Sequence, residues 1–157
     1  MSTNPLLVFN GLPKFNEIQP AHVSPAIEQL ISEGRALVEQ LATSTEQASW
    51  KNFVQPVEDF SEKLSRSWGP VGHMNAVVNT PELREAYNDN LAKLTDFYSD
   101  LSQDERLYNK YKTIQASAED AQLSAAQKKI IENEVRGFKL GGAELPPAEK
   151  ARFKEIA

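Results

Sequence analysis

The chain has 157 residues, a formal net charge of −5 and no cysteine. Its length suits one domain with its own core, and its 40% hydrophobic and 25% charged residues are typical of a globular protein. The acidic balance argues against nucleic acid as a partner, and the missing cysteines exclude disulfides and thiolate zinc sites. Because neither a membrane-spanning stretch nor a signal peptide is recognisable, we expect no membrane contact and a cytoplasmic location.

Residues 1–19 are predicted to form an extended arm, because Pro5, Gly11, Pro13 and Pro20 interrupt any regular period. Six large apolar residues of the arm lack helical spacing: Leu6, Leu7, Phe9, Leu12, Phe15 and Ile18. A solvated tail rarely carries so many, so we expect the arm to dock on an apolar surface. A disordered tail is the alternative.

Helical periodicity begins after the arm. A first helix is predicted over 21–43, with an inner stripe of Val23, Ile27, Leu30, Ile31, Leu37, Val38 and Leu41. A second helix is predicted to begin after Ser49 as N-cap, with a stripe of Phe53, Val57, Phe60, Leu64, Trp68 and Val71. Pro56 either separates a short first turn or bends this helix, and Pro70 is expected to kink it.

The sharpest local signal lies between the second and third helices. Asn79 is expected to end one helix, Thr80 to cap the next, and Pro81 to take its first position. The third helix is predicted to reach about Leu101, with Asn90 facing outward. Its predicted buried stripe is Leu83, Tyr87, Leu91, Leu94, Tyr98 and Leu101.

Three shorter helices complete the prediction. The fourth begins after Asp104 and reaches about Ser117, with Leu107, Tyr111 and Ile114 inward. The fifth opens with a capping box at Ser124 and Gln127, turns Ile130, Ile131, Val135 and Phe138 inward, and ends at Gly141-Gly142. The sixth covers Glu149–Ala157, with Phe153 and Ile156 as its apolar residues.

The predicted fold is therefore all-α, an antiparallel helical bundle of about five to six helices over 20–157, preceded by the arm. We expect a single domain over 1–157. The last predicted helix has only two to three turns and no C-cap signal, which favours a fragment of a larger protein, although a natural chain can also end so.

No catalytic, cofactor-binding or metal-ligating residue is predicted. His22 and His73 lie on different helices, outside any zinc-binding spacing. We expect His73 to be packed and hydrogen-bonded at the corner, and His22 to be neutral and locally bonded. Glu58 and Asp59 are adjacent on a helix and therefore point apart, so they are not an acid–base pair.

Three segments carry a resemblance to a known family: Asn4–Ala26, Trp50–Pro56 with Trp68–Tyr87, and Thr113–Gly142. The most specific run is Gly-Pro-Val-Gly-His-Met-Asn-Ala-Val-Val-Asn-Thr-Pro-Glu-Leu-Arg-Glu-Ala-Tyr, from Gly69 to Tyr87. In order and over essentially the whole chain, these segments resemble the N-terminal part of the thimet-oligopeptidase-like zinc metallopeptidases, the M3 family.

The resemblance implies a scaffold rather than a catalyst. The family works through a His-Glu-x-x-His helix and a further Glu that hold zinc, and this motif is absent from the sequence. The implied function is the N-terminal helical region of a zinc-dependent oligopeptidase, inert alone, which helps to wall a channel for short peptides. Its implied partners are the remainder of the peptidase chain and, through an exposed docking surface, a second copy. The alternative is a stand-alone helical protein-binding module.

Overall fold

The computed structural model describes residues 4–117 and 119–156, and within these ranges the fold is all-α, with six α-helices and no strand. The helices are α1 (Pro20–Thr43), α2 (Gln55–Val77), α3 (Pro81–Ser102), α4 (Glu105–Gln115), α5 (Ala125–Leu140) and α6 (Pro147–Ile156). The prediction of an all-α helical bundle is confirmed. The predicted helix end at Ala157 and the first three residues of the arm lie outside the described ranges.

The chain divides into two compact units. The first combines Met1–Ala36 with Glu58–Thr95, and the second combines Leu37–Val57 with Asp96–Ala157. Each unit has a buried apolar core, and a single domain over 1–157 stays a prediction.

In the first unit, the N-terminal arm docks as predicted. Leu6 and Ile18 are buried in a core whose other members are Val23, Ala26, Ile27, Leu30, Leu64, Val71, Leu83 and Leu94. The Asn4 side-chain amide donates to the His22 carbonyl oxygen at 2.8 Å, which ties the arm to α1. Docking is incomplete, because Leu12 keeps 89% of its surface exposed.

The predicted buried face of α3 is partly wrong. Leu91 and Tyr98 are exposed, and Asn90, which was expected to face outward, is fully buried. The face that α3 buries consists of Leu83, Asn90, Leu94 and Phe97. Their separations of seven, four and three residues place them on one side of a helix, and the Asn90 amide donates to the Ser24 hydroxyl at 2.8 Å. These hydrogen bonds of the amide nitrogen, to Ser24 and to the Ala86 carbonyl oxygen, offset part of the cost of burying it.

The entrance to α2 is a single π-helical turn, Trp50–Val54. Ser49 caps it as predicted, through a capping box in which the Ser49 hydroxyl accepts from the Asn52 N–H and the Asn52 side chain accepts from the Ser49 N–H. The Val54 N–H reaches the Ser49 carbonyl oxygen at 3.3 Å, five residues back. The first turn is therefore separate from α2, and α2 itself continues through Pro70 to Val77.

The second unit has an aromatic core. Phe53 and Tyr111 pack edge to face with ring centroids 4.9 Å apart. The remaining buried members are Leu41, Ala48, Val54, Leu107, Tyr108, Ile114, Ile131, Phe138 and Ala143. Gly142 has a φ of +88°, so the predicted left-handed end of α5 is confirmed. Ile156, one of the two large apolar residues of α6, is 71% exposed.

Candidate functional site

The corner between α2 and α3 contains the most specific sequence run, and an aromatic stack joins its two helices. The Trp68 and Tyr87 rings lie 4.9 Å apart with an angle of 13° between their planes. Gly72 lies beside this stack, and a Cβ placed there would make an ordinary van der Waals contact of 4.0 Å with Tyr87 Cε2. The pair contributes packing between helices, with an offset-stacked geometry that aromatic rings favour.

The turn of the corner follows the predicted capping pattern. Asn79 has a left-handed φ of 52°, a conformation that asparagine tolerates better than most residues. The Thr80 hydroxyl accepts from the Leu83 N–H at 3.3 Å, and Arg84 donates to the Asn79 side-chain oxygen at 2.9 Å. Cap, proline and arginine together fix the path of the chain, so this turn needs no bound group to hold it.

The expectation for His73 is wrong in one respect: its side chain is exposed instead of packed within the corner. It lies edge-on to Phe15, with ring centroids 5.6 Å apart and an interplanar angle of 62°. Arg66, two turns earlier on α2, donates to the Gly11 carbonyl oxygen at 2.8 Å. His73 and Arg66 thus hold the arm along α2, which is a structural role.

His22 is locally bonded, as expected. Its Nδ1 accepts from the Gln19 N–H at 3.0 Å in the first turn of α1. Among the residues that the structure describes, no group of three or more His, Asp or Glu side chains could hold a metal ion.

A charged cleft of about 290 Å³ lies in the first unit, lined by Phe9, Asp59, Glu62, Lys63 and Arg66. Glu62 and Arg66 are ion-paired across one helical turn at 3.6 Å. Half-buried Glu58 precedes this lining, and its pKa is raised by burial and by the charge of Asp59. The carboxylates of Glu58 and Asp59 therefore repel each other, although they belong to adjacent helix positions. The mixed charges compensate one another and suit arm attachment better than proton transfer.

A second, apolar cleft of about 200 Å³ lies in the second unit. Its lining comes from four helices and consists of Val57, Leu101, Ser102, Leu107, Tyr111, Glu134, Gly137 and Phe138. Sequence reasoning missed this cleft. The available signal was Gly137, a glycine inside the otherwise regular helical pattern of α5.

Within the described residues, these contacts, caps and clefts belong to an all-α helical bundle. Within the same part of the chain, none of the helices has both the length and the apolarity that crossing a membrane would require.

Comparison with known proteins identifies the family. The model of the neurolysin/thimet oligopeptidase N-terminal domain matches residues 27–150. The chain therefore belongs to this family, which confirms the resemblance seen in the sequence.

Several similar proteins carry the name oligopeptidase A. Oligopeptidase A of Haemophilus influenzae is 42% identical over 154 residues, which are 98% of this chain and 22% of that protein. Oligopeptidase A of Escherichia coli is 39% identical over 155 residues, 99% of this chain and 23% of that protein. The probable cytosolic oligopeptidase A of Arabidopsis thaliana is 33% identical over 156 residues, again 99% of this chain and 22% of that protein. The chain thus spans less than a quarter of the length of the curated relatives it matches.

Proposed function

We propose that this chain is the N-terminal helical region of a zinc-dependent oligopeptidase, in which it forms scaffold and channel wall and cleaves no bond by itself. The observation that carries the proposal is coverage: relatives named oligopeptidase A match 98% of this chain with only 22% of their own length. The zinc, the short peptide substrates and the cytoplasmic location belong to the proposed parent enzyme. The remainder of the peptidase chain is the proposed partner.

The residues of this chain fit such a passive role. The corner is held by a stack, a cap and an Arg–Asn contact, and both histidines are engaged in local structure. The charged cleft contains the Glu62–Arg66 ion pair, so its charges are balanced internally.

The first test measures zinc and turnover in parallel. The 157-residue chain and the protein expressed from the complete gene are dialysed against zinc, analysed for bound metal and incubated with short peptides. We expect stoichiometric zinc and cleavage only in the full-length protein. Tight zinc binding together with peptide cleavage by the 157-residue chain would contradict the proposal of an inert scaffold. A gene that stops at residue 157 would instead favour the stand-alone binding module.

The second test addresses the channel wall. A short peptide carrying a photoreactive group is bound to the zinc-free full-length protein, irradiated, and its attachment sites are mapped by mass spectrometry. The proposal predicts attachment within residues 1–157 as well as beyond them, and competition by unmodified peptide. Attachment confined to later residues would leave the scaffold role standing and remove the channel-wall role. The photoreactive group without its peptide is the control.

The arm and the last helix each expose an apolar side chain, Leu12 and Ile156 respectively. Self-association of the 157-residue chain accordingly stays a prediction. Sedimentation at several concentrations tests it, and a monomer at all of them would contradict it.

A further inference from the structure

The apolar cleft of the second unit opens at the protein surface. Gly137 of α5 is exposed and also belongs to the lining, beside Leu101 of α3 and Phe138 of α5. The volume is about 200 Å³. Cavities of roughly 150 Å³ with apolar walls accept a benzene-sized ring, so this cleft is large enough for one aromatic or branched side chain.

Gly137 itself is unexplained by contacts within this chain. Glycine inside a helix is less favourable than alanine by roughly 1 kcal/mol. A Cβ added at Gly137 would meet no heavy atom of the described residues within 4 Å. By contrast, a Cβ at Gly141 would lie 2.6 Å from Ser102 Cβ, so there the glycine is needed for packing. An absent side chain at the mouth of an apolar cleft permits close approach by another backbone.

Two exposed apolar residues lie close in sequence to the lining of the cleft. Leu140 lies one helical turn after Gly137 and is 69% exposed. Tyr98 lies one turn before Leu101 on α3 and is 45% exposed. Single exposed apolar residues are ordinary, but these two each lie one helical turn from a residue that lines an apolar cavity.

We infer that this cleft receives one uncharged apolar side chain, aromatic or branched, from the part of the oligopeptidase chain outside these 157 residues. This inference rests on the proposed function. The relatives contain more than three quarters of their length outside the matched 22%, so most of the possible occupant surface lies in that chain. The apolar cleft is thus a docking site of the second unit, and Gly137 is the residue that the backbone of the incoming segment approaches most closely.

The test uses thiol labelling, because the 157 residues contain no cysteine. Gly137→Cys places a thiol at the mouth of the cleft. Glu132→Cys is the matched control: it is exposed on the same helix, about 140° around the axis from position 137. Each variant is made in the full-length protein and in the 157-residue chain. The rate of iodoacetamide labelling is followed at the peptide that contains the new cysteine, so other cysteines do not interfere.

In the 157-residue chain, we expect the two thiols to label at rates within about threefold of each other, with circular dichroism confirming the fold. In the full-length protein, Cys at 137 should label at least about tenfold more slowly than Cys at 132. Equal rates there would overturn the inference, since the cleft would then be open. Slow labelling of Cys at 137 already in the 157-residue chain would also overturn the inference. Labelling that slows further as the concentration of the 157-residue chain increases would overturn it too, because a second copy would then be the occupant.

Peptide hydrolysis by the same full-length preparations separates the two proposals. Peptide hydrolysis combined with equal labelling rates at positions 137 and 132 would reject the inferred occupation of the cleft and retain the proposed peptidase function. Absence of hydrolysis in the unmodified full-length protein would reject the proposed function itself, together with the inference that depends on it.

Discussion

Replacement of glycine by alanine is expected to raise the free energy of unfolding at one of three neighbouring glycines and to lower it at the other two. Gly137 lies inside α5, whereas Gly141 and Gly142 form its C-terminal end. A methyl group at Gly137 projects into open space. At Gly141 it would lie 2.6 Å from Ser102 Cβ and 3.2 Å from the Ser102 carbonyl oxygen. At Gly142 it would accompany a φ of +88° and lie 2.8 Å from Leu145 Cδ1.

The magnitudes follow from these surroundings. Gly137→Ala should stabilise the fold by about 0.5–1 kcal/mol, because alanine loses less backbone entropy in a helix. Gly141→Ala should destabilise it by about 1–3 kcal/mol, because the end of α3 must shift to relieve the overlap. Gly142→Ala should cost roughly 1–2 kcal/mol for the left-handed conformation, while the flexible Leu145 side chain can move aside.

Urea unfolding followed by circular dichroism at 222 nm measures all three free energies of unfolding on the 157-residue chain. A change in midpoint at constant slope reports stability, whereas a changed slope reports altered cooperativity. In thermal unfolding, the Gly137→Ala gain corresponds to about 2–3 °C for a chain of this length. Destabilisation by Gly137→Ala, or a neutral Gly141→Ala, would refute the reasoning, because the first would require a hidden contact and the second a looser junction with Ser102.

Three further predictions concern titratable groups. Burial tends to raise the pKa of Asp104, but hydrogen bonds from Arg106, the positive charge of Arg106 and a hydrogen bond from the Leu107 N–H outweigh burial and lower this pKa. The stability that Asp104 provides is therefore present above its unfolded-state pKa and is lost as the pH falls through the folded-state pKa. Asp104→Ala should cost about 1 kcal/mol at pH 7, and acid titration of the unfolding midpoint should show a smaller loss in the variant. The pKa of Glu58 is raised by burial and by the charge of Asp59, so ionisation of Glu58 destabilises the fold as the pH rises past the unfolded-state pKa. Glu58→Gln should therefore stabilise the protein at pH 7 by no more than about 0.5 kcal/mol. Equal stabilisation at pH 3 would contradict this cause. Burial, then the 2.6 Å hydrogen bond to Glu144 and its charge, raise the pKa of Tyr108 to about 12, so its contribution is present below the unfolded-state pKa and lost as the pH rises through 12. Ultraviolet titration should show a tyrosine step near pH 12 that shifts toward lower pH in Glu144→Gln, and an unchanged step would exclude the Glu144 contribution.

Prediction from the sequence succeeded where a feature is local. The hydroxyls of Ser49, Thr80 and Ser124 each accept the backbone N–H expected of a cap, and Asp104 does the same for α4. Such signals depend on residues only two or three positions apart, so neighbouring elements hardly alter them. The left-handed Gly142 belongs to the same class, because only its own turn requires that conformation.

Prediction failed where packing chooses between similar faces. On α3, Leu91 and Tyr98 had the right spacing for burial, yet the helix buries Asn90 because Ser24 of α1 offers it a hydroxyl acceptor. His73 likewise has an exposed side chain beside Phe15, a residue of the arm whose path has no period to read. Periodicity identifies a helix and the approximate width of its apolar face, but partners on other elements fix the rotation.

The sequence by itself determined the all-α class, the helix boundaries to within a few residues, and the resemblance to thimet-oligopeptidase-like enzymes that the family comparison confirms. These properties depend on short-range patterns and on direct similarity along the chain. Only the tertiary structure showed the fixed path of the arm, the buried Asn90 and the apolar cleft beside Gly137. Each of these arises from residues far apart in sequence, whose juxtaposition depends on how complete helices pack.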